Sequence, residues 1–407
     1  MRRIFVFCAV LGGQSTAQVG AAPLAETLPS PAGKTVQQIR DLAPGRWLDL
    51  GRPAPDAEWG YARGRAWTAK MAYSKALGGA FLFGEGVHGW HNRANGRYMD
   101  GLWLYDVNAH RWVNLYPGTD TRRPPRLTVT RDGFEGVSAD RPVPIATMVH
   151  GYQMTAWDPR RQLFHAMPNL HGYVANALPS VARFRSENKH RLNKRAASPW
   201  MFDPWNRRWH RLRTAGPSPR SGYGHVLAYL PNSDRLFHYD AKRVAYYLPD
   251  RNTWTYPAVS GPRPPFGIDP TACHDPQRDR MYIGGGSYPV AKGSNAFWIY
   301  DTKNDHWIDP APTGSPGGNS FNTNIAVMTC ETRNDRVLVF RHAQGRRGVY
   351  IFDAAKNAWR PTPVDLPDTF APNRVVNGFY HPELNVHLLH VSRDSEPDGR
   401  IFVFRSD

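Results

Sequence analysis

One pattern recurs five times along this chain of 407 residues. An alternating apolar run ends in an aromatic residue, and a tryptophan follows seven positions later, as in Tyr105 and Trp112. The other pairs are Phe202 and Trp209, Tyr247 and Trp254, Tyr300 and Trp307, and Phe352 and Trp359. This spacing predicts two antiparallel strands joined by a tight turn, with both aromatic side chains on one sheet face.

A second hairpin precedes each pair, and its turn commonly contains Pro, Asp or Arg, as in residues 156–164 and 273–281. Each repeat is therefore expected to form a four-stranded antiparallel sheet. A sixth copy runs out at Phe404 without a tryptophan strand, and Gly45–Leu50 near the N-terminus offers one. We predict an all-β fold, a six-bladed β-propeller of four-stranded antiparallel blades whose ring is closed by this N-terminal strand.

Local motifs add a family resemblance. Gly284–Gly286 follows Met-Tyr-Ile, and Pro219–His225 opens a repeat with the sequence Pro-Arg-Ser-Gly-Tyr-Gly-His. With the aromatic-to-tryptophan spacing, these residues resemble the kelch repeats of β-propellers. The double glycine is absent from the second, third, fifth and sixth repeats. The resemblance implies a fold rather than a function, because kelch propellers include enzymes, glycan-binding proteins and protein-interaction modules.

The N-terminus reads as an export signal. Arg2 and Arg3 precede the apolar run Ile4–Leu11, and small residues follow, which predicts a signal peptide over residues 1–22. A frayed N-terminal strand is the alternative. Residues 23–407 are predicted to be a single domain that is secreted or periplasmic. No stretch of 18 apolar residues exists to cross a bilayer, so membrane insertion is not expected.

The chain has three cysteines, and the first lies in the predicted signal peptide. Cys273 and Cys330 remain, and they could form one disulfide in an oxidising compartment. Because each lies in a strand-like run, a pair of buried free thiols is the expectation.

Three insertions interrupt the repeats, at residues 86–93, 119–144 and 168–198. In a four-stranded blade, the loop between strands two and three and the connection to the next blade lie on the same face. All three insertions should therefore gather on one face, near the first three blades.

The chain carries a formal net charge of +17, and its densest basic run lies in the third insertion. This run comprises Arg183, Arg185, Lys189, Arg191, Lys194 and Arg195. A solvated surface is the alternative. Three arginines of the second insertion, Arg122, Arg123 and Arg126, are predicted to lie on the same face. Their combined field would attract a polyanion.

An acidic polysaccharide, uronate-containing or sulfated, is the predicted partner, because an exported protein seldom meets nucleic acid. Predicted substrate-binding residues, besides the six of the basic run, are His88, His91, Asn92, Asn169 and Tyr173. A non-catalytic module that binds protein or a cell-wall polymer is the alternative. A monomer is expected.

Cleavage by β-elimination fits the residue types available. It needs a cation for the uronate carboxylate, a base and an acid, and His, Tyr and Arg supply these without metal. Some propeller-fold polysaccharide lyases are similar in using these residue types. The candidates are His150 or Tyr223 as base, His171 or His225 as acid, and Arg220 or Arg243 as carboxylate neutraliser. A structural role in loop hydrogen bonds is the alternative for His150 and His225, and it is the expectation for His165 and His238.

No cofactor is predicted, and no metal site. Motifs with metal-ligand spacing, phosphate loops and nucleophile elbows are absent from the sequence. A kelch-type copper radical oxidase would need a thiolate cross-linked to a tyrosine, and the positions of Cys273 and Cys330 disfavour it.

Overall fold

The structure, a computed structural model, describes residues 27–84, 91–92, 96–145, 150–168, 178–193, 197–219, 222, 224–264, 269–285, 297–316, 321, 326–342, 347–370 and 374–406. Residues 91 and 92 are described by their backbone alone. The predicted signal peptide lies outside the described residues.

Strands dominate the described part of the chain. The first are β1 (Arg46–Gly51), β2 (Ala72–Ser74), β3 (Gly79–Leu82), β4 (His91–Asn92), β5 (Arg97–Tyr98), β6 (Leu102–Asp106), β7 (Arg111–Tyr116), β8 (Thr128–Val129), β9 (Glu135–Ser138) and β10 (Arg141–Pro142). Next come β11 (Thr155–Asp158), β12 (Leu163–Ala166), β13 (Trp200–Asp203), β14 (Arg208–His210), β15 (Val226–Leu230), β16 (Arg235–Tyr239), β17 (Val244–Leu248) and β18 (Thr253–Thr255). The last are β19 (Thr271–Asp275), β20 (Arg280–Gly284), β21 (Phe297–Asp301), β22 (His306–Ile308), β23 (Ala326–Glu331), β24 (Arg336–Arg341), β25 (Gly348–Asp353), β26 (Ala358–Pro361), β27 (Arg374–His381), β28 (Val386–Arg393) and β29 (Arg400–Arg405).

These strands form six four-stranded antiparallel sheets within the described ranges. Sheet 1 is β2, β3, β6 and β7; sheet 2 is β11 to β14; sheet 3 is β15 to β18; sheet 4 is β19 to β22; sheet 5 is β23 to β26; and sheet 6 is β27, β28, β29 and β1. A three-stranded sheet, β8 to β10, and a two-stranded sheet, β4 and β5, lie outside this series.

Helices are few. Those in the described ranges are α1 (Lys34–Arg40), α2 (Pro179–Glu187) and a 3-10 turn at Pro249–Arg251. None of the helices in the described ranges has the length and apolar character needed to traverse a bilayer.

The repeated hairpins are confirmed. In all five, the aromatic residue and the tryptophan are direct cross-strand partners, for example Tyr105 opposite Trp112. Their ring centroids lie 4.8 to 5.5 Å apart. The Asp that follows the aromatic residue in four copies holds the turn, since its carboxylate accepts hydrogen bonds from two backbone N–H groups, as Asp203 does from Trp205 and Asn206. The turn chemistry and the aromatic pair together fix the seven-residue spacing.

The sheets follow one another through their first strands. Each first strand contacts that of the next sheet, from β2 through β11, β15, β19 and β23 to β27, and β27 also contacts β2. At the other edge of sheet 6, β1 pairs with β29, with Trp47 opposite Phe404. Buried apolar clusters fill the space between neighbouring sheets. The fold is therefore all-β and propeller-like.

The expected pair of free thiols is wrong. Cys273 of β19 and Cys330 of β23 form a disulfide, with Cα atoms 5.5 Å apart. The two first strands lie side by side, which brings thiols 57 residues apart in sequence into bonding range. The bond links sheets 4 and 5.

The second and third insertions are more ordered than the loops expected from the sequence. The second contains the sheet β8 to β10, and the third contains α2. Leu178 and Val181 beside and within α2 pack against Ile145 and Tyr98. Tertiary contacts therefore stabilise a helix that has little amphipathic pattern of its own.

Candidate functional site

The second insertion contacts the third, and it also contacts the strand β5 that follows the first. The backbone N–H of Tyr98, next to the first insertion, donates to the carbonyl of Thr119 in the second, over 2.8 Å. The backbone N–H of Asn193 in the third insertion donates to the carbonyl of Gly133 in the second, over 2.7 Å. We call this end of the molecule the insertion face.

Much of the predicted site lies outside the described side chains. His88, Asn169, His171, Tyr173, Lys194, Arg195, Arg220 and Tyr223 fall outside the described residues, and His91 and Asn92 are described only as the backbone of β4. The described candidates are His150, His225, Arg243, Arg183, Arg185, Lys189 and Arg191.

Within the basic run, Arg185 differs from its neighbours. Its guanidinium forms a two-pronged ion pair with Glu135 of β9, at 2.5 and 2.9 Å, and also donates to the carbonyl of Ile145. It therefore fastens α2 to the second insertion instead of facing a ligand as predicted. Arg183, Lys189 and Arg191 are exposed and keep the surface position that the sequence predicts.

His150 lies just before β11 and is buried. Its ring lies 6.1 Å from the ring of Trp67 and 5.3 Å from that of Tyr152, edge to face with the latter. Burial, with a smaller effect of Asp269, raises the pKa of Tyr152, which stays protonated at neutral pH. A histidine and a tyrosine thus meet at the insertion-face end of the first strands.

His225 is a weaker candidate for the acid role. It is buried, and its Nδ1 lies 3.2 Å from Nε2 of His238. Burial lowers the pKa of His225 to about 4, so it is neutral at pH 7 and has no proton to give as an imidazolium. Arg243 lies in the exposed turn between β16 and β17, with its guanidinium 5.1 Å from the ring centre of Tyr256. No described contact joins Arg243 to His150 or His225.

A pocket of about 270 Å³ that the sequence reasoning missed opens on the insertion face. We call it the upper pocket. It lies where the connection from β1 to β2 meets β5, the start of β6 and the loop after β28. Its main side chains are Trp59, Tyr61, Arg63, Arg65, Arg97, Tyr98, Trp103 and Asn114. No Asp or Glu lines it among the described residues, although Asp120, just outside the lining, lies 4.0 Å from the Arg97 guanidinium. The lining itself is cationic and aromatic.

The arginines of the upper pocket are held in place. The Arg97 guanidinium lies 4.4 Å from the ring centre of Trp59 and donates to the carbonyl of Gly118 over 2.8 Å. Arg63 donates to the carbonyl of Ser395 over 2.9 Å. Burial lowers the pKa of Arg63, which stays charged. Ordered guanidinium groups of this kind suit planar anions such as carboxylates.

Asn114 adds a polar group with a free acceptor. Asn114 is 2% exposed, and its side-chain oxygen Oδ1 has no hydrogen-bond partner among the described residues. Buried amide oxygens are seldom left without a donor, so a ligand hydroxyl would be well matched here. The signal in the sequence was the alternation of aromatic residues and arginines from Trp59 to Trp67.

Another cavity, of about 920 Å³, lies elsewhere. It is lined by the first strands of all six sheets and by the turns that follow them. Because first and second strands are antiparallel, these turns lie at the opposite end from the insertion face. Of the predicted site residues whose side chains the structure describes, none lines this cavity. In the described part of the chain, no three His, Cys, Asp or Glu side chains are arranged to hold a metal ion.

Comparison with known proteins gives a limited result. No family model and no curated protein matches the chain. A solved structure from Bacteroides thetaiotaomicron, a structural genomics protein of unknown function, is similar over 88% of this chain and 74% of its own, with 9% identity and a TM-score of 0.46. Another from the same organism, described as the "extracellular domain of the putative one component system", matches 88% of this chain but 39% of its own, with 10% identity and a TM-score of 0.40. Neither informs on function.

Proposed function

We propose that this chain is an exported, six-bladed propeller of kelch type that binds an acidic polysaccharide on its insertion face. The observation that carries the proposal is the upper pocket, where three arginines and four aromatic rings meet and no carboxylate is among the described lining residues. The pairing of β1 with β29 and the contacts between successive first strands support the closed ring. The disulfide supports an oxidising compartment.

In this proposal the upper pocket holds one acidic sugar residue. Arg63 and Arg97 neutralise its carboxylate or sulfate, and an aromatic ring of the lining covers its C–H surface. Asn114 Oδ1 accepts from a sugar hydroxyl. The exposed bases Arg183, Lys189 and Arg191 attract neighbouring parts of the polymer, and this attraction weakens as salt screens it.

A binding assay tests the proposal. Purified protein is titrated with polygalacturonate, alginate and heparin, with dextran as the neutral control, at low and at high salt. We expect acidic polymers to bind, with an affinity that falls as salt rises, and dextran to bind much more weakly. Equal binding of dextran, or no binding of any acidic polymer, would contradict the proposal.

Cleavage by β-elimination is a second candidate function, favoured by the meeting of His150 with Tyr152 on the insertion-face side. There His150 would take the proton beside the uronate carboxylate, the bond to the departing oxygen would break, and a nearby acid would protonate that oxygen. Incubation with the same uronate polymers should then produce the ultraviolet absorbance of unsaturated uronates. Salt-sensitive binding without new absorbance would favour the non-catalytic binding module.

A further inference from the structure

The cavity of about 920 Å³ that the first strands line, here called the central cavity, shares no lining residue with the upper pocket and lies at the opposite end of the molecule. Most of its wall is apolar, including Met71, Leu227, Met281, Met328 and Phe379. Its volume is within the range of about 300–1,000 Å³ that is usual for small-molecule sites. Such sites combine apolar walls with a few converging polar groups.

Lys70 supplies the buried positive charge of this cavity. Its side chain extends from just before β2 of sheet 1 to β15 of sheet 3, where Nζ donates to the carbonyl oxygen of Leu227 over 2.8 Å. No carboxylate lies within ion-pair distance of Nζ among the described residues. Burial lowers the pKa of Lys70 to about 8, so it is still mostly charged at pH 7. An ammonium group among apolar walls without a counter-ion favours the entry of an anion.

Gln153 and His274 bring further polar atoms to the cavity wall. Gln153 is 1% exposed, and both its Oε1 and its Nε2 lack a hydrogen-bond partner among the described residues. Its backbone carbonyl accepts from the N–H of Leu227, beside the acceptor of Lys70. Nε2 of His274 is likewise buried and lacks a partner in the described ranges. Burial, with a contribution from the charge of Lys70, lowers the pKa of His274 to about 4, so its ring is neutral.

We propose that the central cavity binds a small monocarboxylate with an apolar body. The ammonium of Lys70 pairs with the carboxylate, the Gln153 amide and the His274 Nε2–H donate to its oxygens, and the apolar body lies along the methionine and phenylalanine walls. Among the described lining residues, Lys75 at the rim is paired with Glu383, so the buried charge of Lys70 matches a single negative charge. The apolar walls exclude strongly hydrated polyanions, which distinguishes this site from the insertion face.

Calorimetric titration with a panel of monocarboxylates, namely phenylbutyrate, indolepropionate, hexanoate and decanoate, tests the proposal. Phenylbutyramide and phenylbutanol serve as neutral partners of phenylbutyrate. We expect at least one carboxylate to bind, and its neutral partner to bind about tenfold more weakly, because a charge-assisted hydrogen bond is lost. No binding by any carboxylate, or equal binding of the neutral partners, overturns the proposal.

Two variants locate the site. Lys70→Met should weaken carboxylate binding about tenfold or more. The matched control Lys75→Met removes the same charge at the cavity rim, where Lys75 is exposed and paired with Glu383, and should leave binding unchanged. Unchanged binding in Lys70→Met overturns the proposal. If Lys70→Met does not fold, Gln153→Leu replaces it, with weaker carboxylate binding expected and unchanged binding contradicting the site.

Discussion

Trp47 of β1 lies directly opposite Phe404 of β29, and their ring centroids are 4.8 Å apart. Trp47 also contacts Phe340 of sheet 5 and Phe370. The strand nearest the N-terminus thus packs on residues near the C-terminus, and the proposed closed ring depends on this contact. Without β1, the edge of β29 would be left unpaired.

Trp47→Ala should therefore destabilise the whole domain. We expect a loss of about 3 kcal/mol in the free energy of unfolding, from the lost apolar contacts and the cavity left behind. Urea denaturation measures it, and Trp47→Phe, which keeps an aromatic ring, should lose much less. A loss below about 0.5 kcal/mol, typical of surface positions, would show that β1 is a dispensable tail.

The Cys273–Cys330 disulfide should stabilise the fold, because it closes a loop between residues 57 apart in the unfolded chain. We expect Cys273→Ala with Cys330→Ala to cost about 2–4 kcal/mol. Dithiothreitol should destabilise the wild type by a similar amount and leave the double variant unaffected. An equal response of both proteins to the reductant would mean that this bond contributes nothing.

The sequence predicted the hairpins well because their signal is local. The spacing from Phe202 to Trp209 follows from a cross-strand pair and an Asp-held turn, and both lie within eight residues. Helix α2 could not be predicted in the same way. Only Val181 is buried in this helix, so its stability comes from contacts with residues far away in the sequence, such as Glu135 and Ile145.

The candidate sites were less predictable than the fold. The upper pocket joins Trp59, Arg97 and Asn114 from three separate elements. The backbone bridge between Ala54 and Arg111 places the connection that carries Trp59 beside β7. Lys70 did carry a sequence signal, since a lone lysine interrupts the apolar run before Ala72. The sequence could not show that Lys70 donates to the carbonyl of Leu227, because that contact joins two sheets.

Upper-pocket variants test where the acidic polysaccharide binds. Arg97→Gln should weaken binding about tenfold, because one charge-assisted interaction is lost. Arg160→Gln is the matched control, since Arg160 is 63% exposed and lies in the turn between β11 and β12, at the far end from the insertion face. Affinity measured for the best acidic polymer should not change in this control. Equal losses in both variants would indicate a general charge effect without a pocket.

We expect the exposed residues of the basic run to affect polymer binding and Arg185 to affect stability. Replacing exposed Arg183, Lys189 and Arg191 by Ser should flatten the salt dependence of polymer binding and change stability by less than about 0.5 kcal/mol. Arg185→Ser should instead cost about 2 kcal/mol, because Glu135 and Ile145 lose a charged partner. Thermal unfolding and binding at two salt concentrations separate the two effects. Unaltered binding in the triple variant would assign these charges to solubility alone.

The buried histidines should make the protein sensitive to acid. The pKa of His225 falls from its usual 6.5 to about 4, mainly through burial. Between these values the unfolded state binds more protons than the folded state, so stability falls as pH falls. The loss is complete only below pH 4, and His225 shares it with His238, whose buried ring lies 3.2 Å away. Unfolding free energies measured from pH 7 to pH 4 should therefore fall less steeply in His225→Gln than in the wild type, while exposed His190→Gln should match the wild type. An unchanged slope in His225→Gln would mean that folding does not lower the pKa of His225.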